Sequence, residues 1–86
     1  MSKMRHIYSV NQKQISREID GYIHIIDYYK PDDIVFVRSR IYKDDVYLGF
    51  IRYDYGSYSS QLIEDADYQT VFTQFQSLFL IINQIN

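Results

Sequence analysis

Asp20, His24 and Asp27 stand four and three residues apart, a spacing that brings all three onto one turn if the segment is an α-helix. A histidine between two carboxylates has the chemistry of a cation ligand set or of a general acid/base pair. No third or fourth ligand accompanies them, and the second histidine, His6, lies in a segment without clear pattern. The simpler expectation is a solvated ion-pair face laced by Lys13, Arg17, Asp20, His24 and Asp27.

The other candidates for chemistry have equally plain readings. Glu64, Asp65 and Asp67 lack the spaced oxygen ligands and central glycine of a calcium loop, and are expected to cap a helix. Asp32–Asp33 and Asp44–Asp45 carry turn chemistry. Ser57, Ser59 and Ser60 neighbour no histidine, and neither a phosphate-cradling glycine loop nor a nucleophile elbow occurs. The chain contains no cysteine, which excludes disulfides, thiolate metal sites and thiol nucleophiles. No catalytic residue, metal site or cofactor is therefore assigned, and the expectation is a protein that is not an enzyme.

What the composition offers instead is aromatic surface, with ten Tyr and five Phe but no Trp. Tyrosine is amphipathic and suits surfaces that are alternately wet and covered. Arg38, Arg40, Tyr42, Tyr47, Tyr53, Tyr55 and Tyr58 are expected on one sheet face, where rings beside guanidinium groups suit a protein partner or stacked bases. A net charge of −2 lacks the basic excess that phosphate attraction requires. Protein contact is accordingly the leading expectation, and single-stranded nucleic-acid binding the alternative.

These residues must be positioned by a small number of elements. From Asn11 to Tyr29, the residues Ile15, Ile19, Tyr22, Ile23, Ile26 and Tyr29 recur at helical spacing, with Asn11 as N-cap and Pro31 as terminator. DIVFVRSRIY (33–42) and VYLGFIRYDY (46–55) read as strands joined by an Asp44–Asp45 turn. That register pairs Tyr42 with Tyr47, Ile41 with Leu48 and Ser39 with Phe50. It places Val35, Val37, Ile41, Val46, Leu48 and Phe50 on one face, opposite Phe36, Arg38, Arg40, Tyr42, Tyr47, Ile51, Tyr53 and Tyr55. A Gly56–Ser57 loop leads to a third strand, Tyr58 to Ile63, with Tyr58 beside Tyr55.

The last element is a helix from about Ala66 to Ile85, and from Tyr68 onward it holds no Asp, Glu, Lys or Arg. Tyr68, Val71, Phe72, Phe75, Leu78, Phe79 and Ile82 form its inner stripe, leaving Gln69, Thr73, Gln76, Leu80, Asn83 and Gln84 outside. Depletion of charge distinguishes interface cores from ordinary surface, so Gln76, Leu80 and Asn83 join the partner-binding candidates.

The expected fold is α+β: a two-layer α-β-β-β-α arrangement, with a three-stranded antiparallel meander and two helices on one face. It forms one domain over 1–86, with residues 1–10 as an N-terminal arm or short element. This element order resembles the double-stranded-RNA-binding domain in topology. The resemblance implies RNA contacts at the start of the second helix and in the first strand–strand loop. Here Glu64-Asp65-Ala66-Asp67 and Lys43-Asp44-Asp45 occupy those places, and their acidic residues would repel phosphate. In size and acidity the chain is also similar to compact α+β inhibitor proteins. The expectation is a small cytoplasmic regulatory or inhibitor protein that binds a protein partner or itself as a homo-oligomer. The short LFLII run is far below the roughly 20 apolar residues of a membrane span.

Overall fold

The computed structural model describes residues 12–85. Among the described residues, five strands, β1 (Lys13–Ile19), β2 (Tyr22–Tyr29), β3 (Phe36–Lys43), β4 (Val46–Asp54) and β5 (Ser57–Leu62), precede one helix, α1 (Tyr68–Asn83). The strands pair in chain order as an antiparallel meander. This overturns the expected three-stranded sheet with two helices: the segment read as the first helix is the β1–β2 hairpin. The likeness to the double-stranded-RNA-binding domain goes with it. The N-terminal arm or short element expected over residues 1–10, and His6 within it, lie outside the described residues.

The first hairpin and the expected helix use the same apolar residues. Ile15 faces Ile26 and Ile19 faces Tyr22 across the pair, and both pairs share the sheet side that α1 covers. The two structures differ in what else they bury. A helix would have covered Ile23 and exposed His24, whereas Ile23 is exposed and His24 is 0% exposed. Asp20–Gly21 decides the matter: both residues have positive φ, 51° and 85°, the backbone of a type I′ hairpin turn.

The expected Asp44–Asp45 turn is present, with φ of 54° and 65°, and Tyr42 faces Tyr47. Beyond that pair the expected register fails. Leu48 is inserted as a β-bulge, so Ile41 faces Gly49, Arg40 faces Phe50 and Ser39 faces Ile51. The bulge moves Phe50 to the arginine face and turns Ile51 and Tyr53 toward α1. The next turn is Tyr55–Gly56, not Gly56–Ser57. It sets Tyr58 across from Tyr53 on the helix side, and Tyr55 stands exposed in the turn itself.

Val71, Phe75, Leu78 and Ile82 of α1 close a core with Ile26, Val37, Ile41 and Ile51. Burying each such side chain is worth about 1.5–3 kcal/mol relative to leaving it in water. Asp67 is the N-cap, its carboxylate accepting from the Thr70 amide at 3.2 Å and the Thr70 hydroxyl at 2.7 Å. Those bonds, the hydroxyl first, hold the Asp67 carboxyl below its ordinary range. At the far end α1 has no basic residue in its last turn. Lys30, next to β2, supplies the cation, donating to the carbonyls of Ile85 at 2.6 Å and Asn83 at 3.2 Å.

Candidate interaction faces and a buried histidine

The sheet side away from α1 carries a charge cluster built by register. Gln14 of β1, Asp27 of β2 and Arg38 of β3 lie in one row across three strands, and Arg40 is two residues along β3 from Arg38. Asp27, only 6% exposed, accepts from Gln14 Nε2 at 2.8 Å and Arg38 Nη2 at 3.0 Å, with Arg40 Nη2 3.5 Å away. Both guanidinium groups keep about a third of their side chains in water, while their Nε atoms are buried without a partner. Arg52 adds a second pair, donating to Asp54 at 3.1 Å while its guanidinium lies over the Phe36 ring. Three arginines thus meet two aspartates, which leaves little net positive charge.

Toward the Asp44–Asp45 turn the same face becomes apolar. The Tyr42 and Tyr47 rings are 5.2 Å apart, Ile23 lies across from Tyr42, and Phe50 lies across from Arg40. Of the tyrosines expected here, Tyr42 and Tyr47 are brought together with Arg38 and Arg40. Tyr53 and Tyr58 are not: their rings pack edge-to-face 5.2 Å apart on the helix side. Gln76, Leu80 and Asn83 project outward from α1, and Leu80 is 65% exposed.

His24 is the residue whose environment departs furthest from the expectation. It does not share a face with Asp27, since consecutive strand residues alternate and these are three apart. Its Nδ1 lies 2.7 Å from the Ser39 hydroxyl and its Nε2 lies 2.8 Å from Gln74 Oε1. Gln74 Nε2 donates to the Ile19 carbonyl at 3.3 Å, which turns Oε1 toward the ring. Nε2 must therefore carry the proton, leaving Nδ1 to accept from Ser39. Burial pushes the imidazole pKa below its ordinary 6.5, and the bond to Gln74 opposes this in part.

A serine hydroxyl bonded to an oriented imidazole has the elements of an activated nucleophile. Here both groups are 0% exposed, so no carbonyl substrate can reach the oxygen. The chain of bonds satisfies the polar atoms of a core that spans β2, β3 and α1. Among the described residues, no group of three or more His, Asp or Glu side chains is arranged to hold a metal ion.

One cleft of about 360 Å³ opens beside the bulge, lined by Leu48, Gly49, Phe50, Gln61 and Leu62 among others. Tyr47 is the one ionisable side chain among its lining residues. No protein-family model matches the chain, and no curated protein or solved structure shows significant similarity to it.

Proposed function

We propose that the chain is a non-catalytic protein-interaction module that binds a partner protein through the sheet face opposite α1. The observation that supports this most is the neutralised arginine pair. Arg38 and Arg40 are held by a nearly buried Asp27 and bordered by Tyr42, Tyr47, Ile23 and Phe50. Interface centres favour this composition, with Tyr and Arg enriched and net charge depleted. Regulation or inhibition by occupying a partner's surface is the mode of action open to such a module. Among the described residues no helix is long and apolar enough to cross a membrane. A cytoplasmic location is part of the proposal.

Single-stranded nucleic-acid binding is the weaker reading on two counts. Of the tyrosines expected beside the arginines only Tyr42 and Tyr47 remain there, and Asp27 offsets the charge that phosphate would need. The test compares capture from source-cell lysate by wild type, Tyr47→Ser, Arg40→Glu and Leu80→Glu. A protein retained by wild type and Leu80→Glu but lost by both face variants supports the proposal. Capture insensitive to the face variants, or lost only with Leu80→Glu, overturns it. Salt-dependent binding of short single-stranded DNA or RNA, read by fluorescence anisotropy, would favour the alternative.

A further inference from the structure

The two edges of the sheet are treated differently. β1 carries Lys13, Arg17 and Glu18, the charges by which an edge strand resists pairing with another chain. β5 reads SYSSQL, with no charge, no proline and no bulge, and Ser57 to Gln61 are all exposed.

Which backbone groups β5 presents to solvent follows from the hairpin. A two-residue turn at Tyr55–Gly56 makes Asp54 and Ser57 a hydrogen-bonded pair. Alternation then directs the N–H and C=O groups of Ser57, Ser59 and Gln61 toward β4, and those of Tyr58, Ser60 and Leu62 outward. The bond from Ile63 N to Leu48 O, at 2.8 Å, falls where this alternation requires.

We propose that β5 pairs antiparallel with β5 of a second copy about a two-fold axis perpendicular to the sheet, with Ser60 opposite Ser60. In this register Tyr58 faces Leu62 of the partner copy. All three outward-facing residues then pair with one another, exchanging about six backbone hydrogen bonds. Shifting by two residues either way reduces that to about four. Shifting by one sets residues of opposite sheet sides across from each other. No carboxylates meet, because continuing the register brings Glu64 against Gly56.

The helix flank beside β5 extends the same contact. Tyr68, Phe72, Phe75 and Phe79 form a run of rings, each 5.3 to 6.4 Å from the next. Tyr58, half exposed, lies 5.7 Å from Phe72 and 6.3 Å from Phe79. A two-fold axis perpendicular to the sheet keeps both helices on one side, so these flanks face each other across the axis. The absence of ionisable groups from α1, tyrosine apart, lets them approach without like-charge repulsion. A second copy is the occupant that such a neutral, self-matching strand and flank suit. This surface is separate from the arginine face and does not depend on its role.

Sedimentation over a wide concentration range is the measurement, on wild type, Ser60→Pro and Ser60→Lys. Proline at 60 removes an outward N–H and no bond to β4, a position where an edge strand tolerates it. Lysine at 60 sets two like charges together at the axis. The expected result is a wild-type dimer whose dissociation constant rises about a hundredfold in Ser60→Pro, with circular dichroism unchanged. Should Ser60→Pro fail to fold, the same weakening in Ser60→Lys carries the test. The register is read independently by Ser60→Cys, the only thiol in that variant, which should oxidise to a covalent dimer much faster than Ser57→Cys. A wild type that stays monomeric at about 0.5 mM, a dimer indifferent to both substitutions at 60, or equal cross-linking at 57 and 60 would overturn the proposal.

Discussion

Replacing Gly49 by alanine probes the bulge that sorts the two faces of the sheet. Gly49 has φ of 128°, where a side chain is strained by roughly 1–3 kcal/mol. A Cβ there would overlap the Gln61 carbonyl oxygen and stand 2.8 Å from Leu62 Cα. These are backbone atoms of β5, so β5 has to shift. The bond from Ile63 N to Leu48 O is the nearest to fail, at about 0.5–1.5 kcal/mol. The sum is about 1.5–4.5 kcal/mol, a large share of the roughly 4–13 kcal/mol expected for a chain of this length. Gly56→Ala is the matched control. Its φ is 87° but a Cβ would meet nothing within 4 Å, so only strain of about 1 kcal/mol is expected. Urea denaturation followed by circular dichroism reads both. With m of about 1–1.5 kcal/mol/M, the Gly49→Ala midpoint should fall by roughly 1–4.5 M and that of Gly56→Ala by under about 1 M. Equal shifts would show that the close approach of β4 and β5 contributes nothing, and would refute the reasoning from the bulge.

His24 makes stability depend on pH. Its pKa is lowered in the folded state from the ordinary 6.5, so below that value the unfolded chain binds more protons and stability falls with falling pH until the folded state also titrates. Urea midpoints from pH 7.5 to 5 should show this decline, and His24→Gln should flatten it; an unchanged slope would clear His24 of the effect. Asp27→Asn keeps the shape of the cluster but removes the charge facing Arg38 and Arg40. It should cost about 1–2 kcal/mol, since both arginines retain access to water, and a thermal melt indistinguishable from wild type would contradict the role given to Asp27. Leu80→Glu lies on exposed surface and should change unfolding stability by no more than about 0.5 kcal/mol; a larger loss would mean that Leu80 supports the core.

The parts of this structure governed by neighbouring residues could be read from the sequence. α1, its Asp67 N-cap, its outward Gln76, Leu80 and Asn83, and the Asp44–Asp45 turn all follow from short-range pattern. The first hairpin was hidden because Ile15, Ile19, Tyr22 and Ile26 satisfy both a helical stripe and the inner face of two strands. Asp20–Gly21, a strong hairpin-turn dipeptide, was the signal that separates the two. The bulge had a weaker signal in Gly49, a glycine inside a strand. A register without the bulge reverses the sides of Phe50, Ile51 and Tyr53, and through the next hairpin that of Tyr58. Arg38, Arg40, Tyr42 and Tyr47 keep their side in either register because they lie before the bulge or at the turn. The His24–Ser39–Gln74 chain joins residues 15 and 50 positions apart, and no local pattern marks it.

The cover of the core comes after all five strands in the chain, and synthesis proceeds from the N-terminus at ~5–20 residues per second. Hairpins form in about 1–10 μs, whereas the stretch from the end of β5 through α1 takes on the order of 1–4 s to be made. During that interval a nearly complete meander can hold Ile26, Val37, Ile41 and Ile51 open to water, with the imidazole of His24 still lacking Gln74. The nascent sheet is therefore at its most adhesive just before it is finished. Any event that delays the aromatic helix, such as a stalled ribosome or a premature stop after Leu62, would yield a sheet with an apolar side and nothing to close it, a substrate for chaperones or for aggregation.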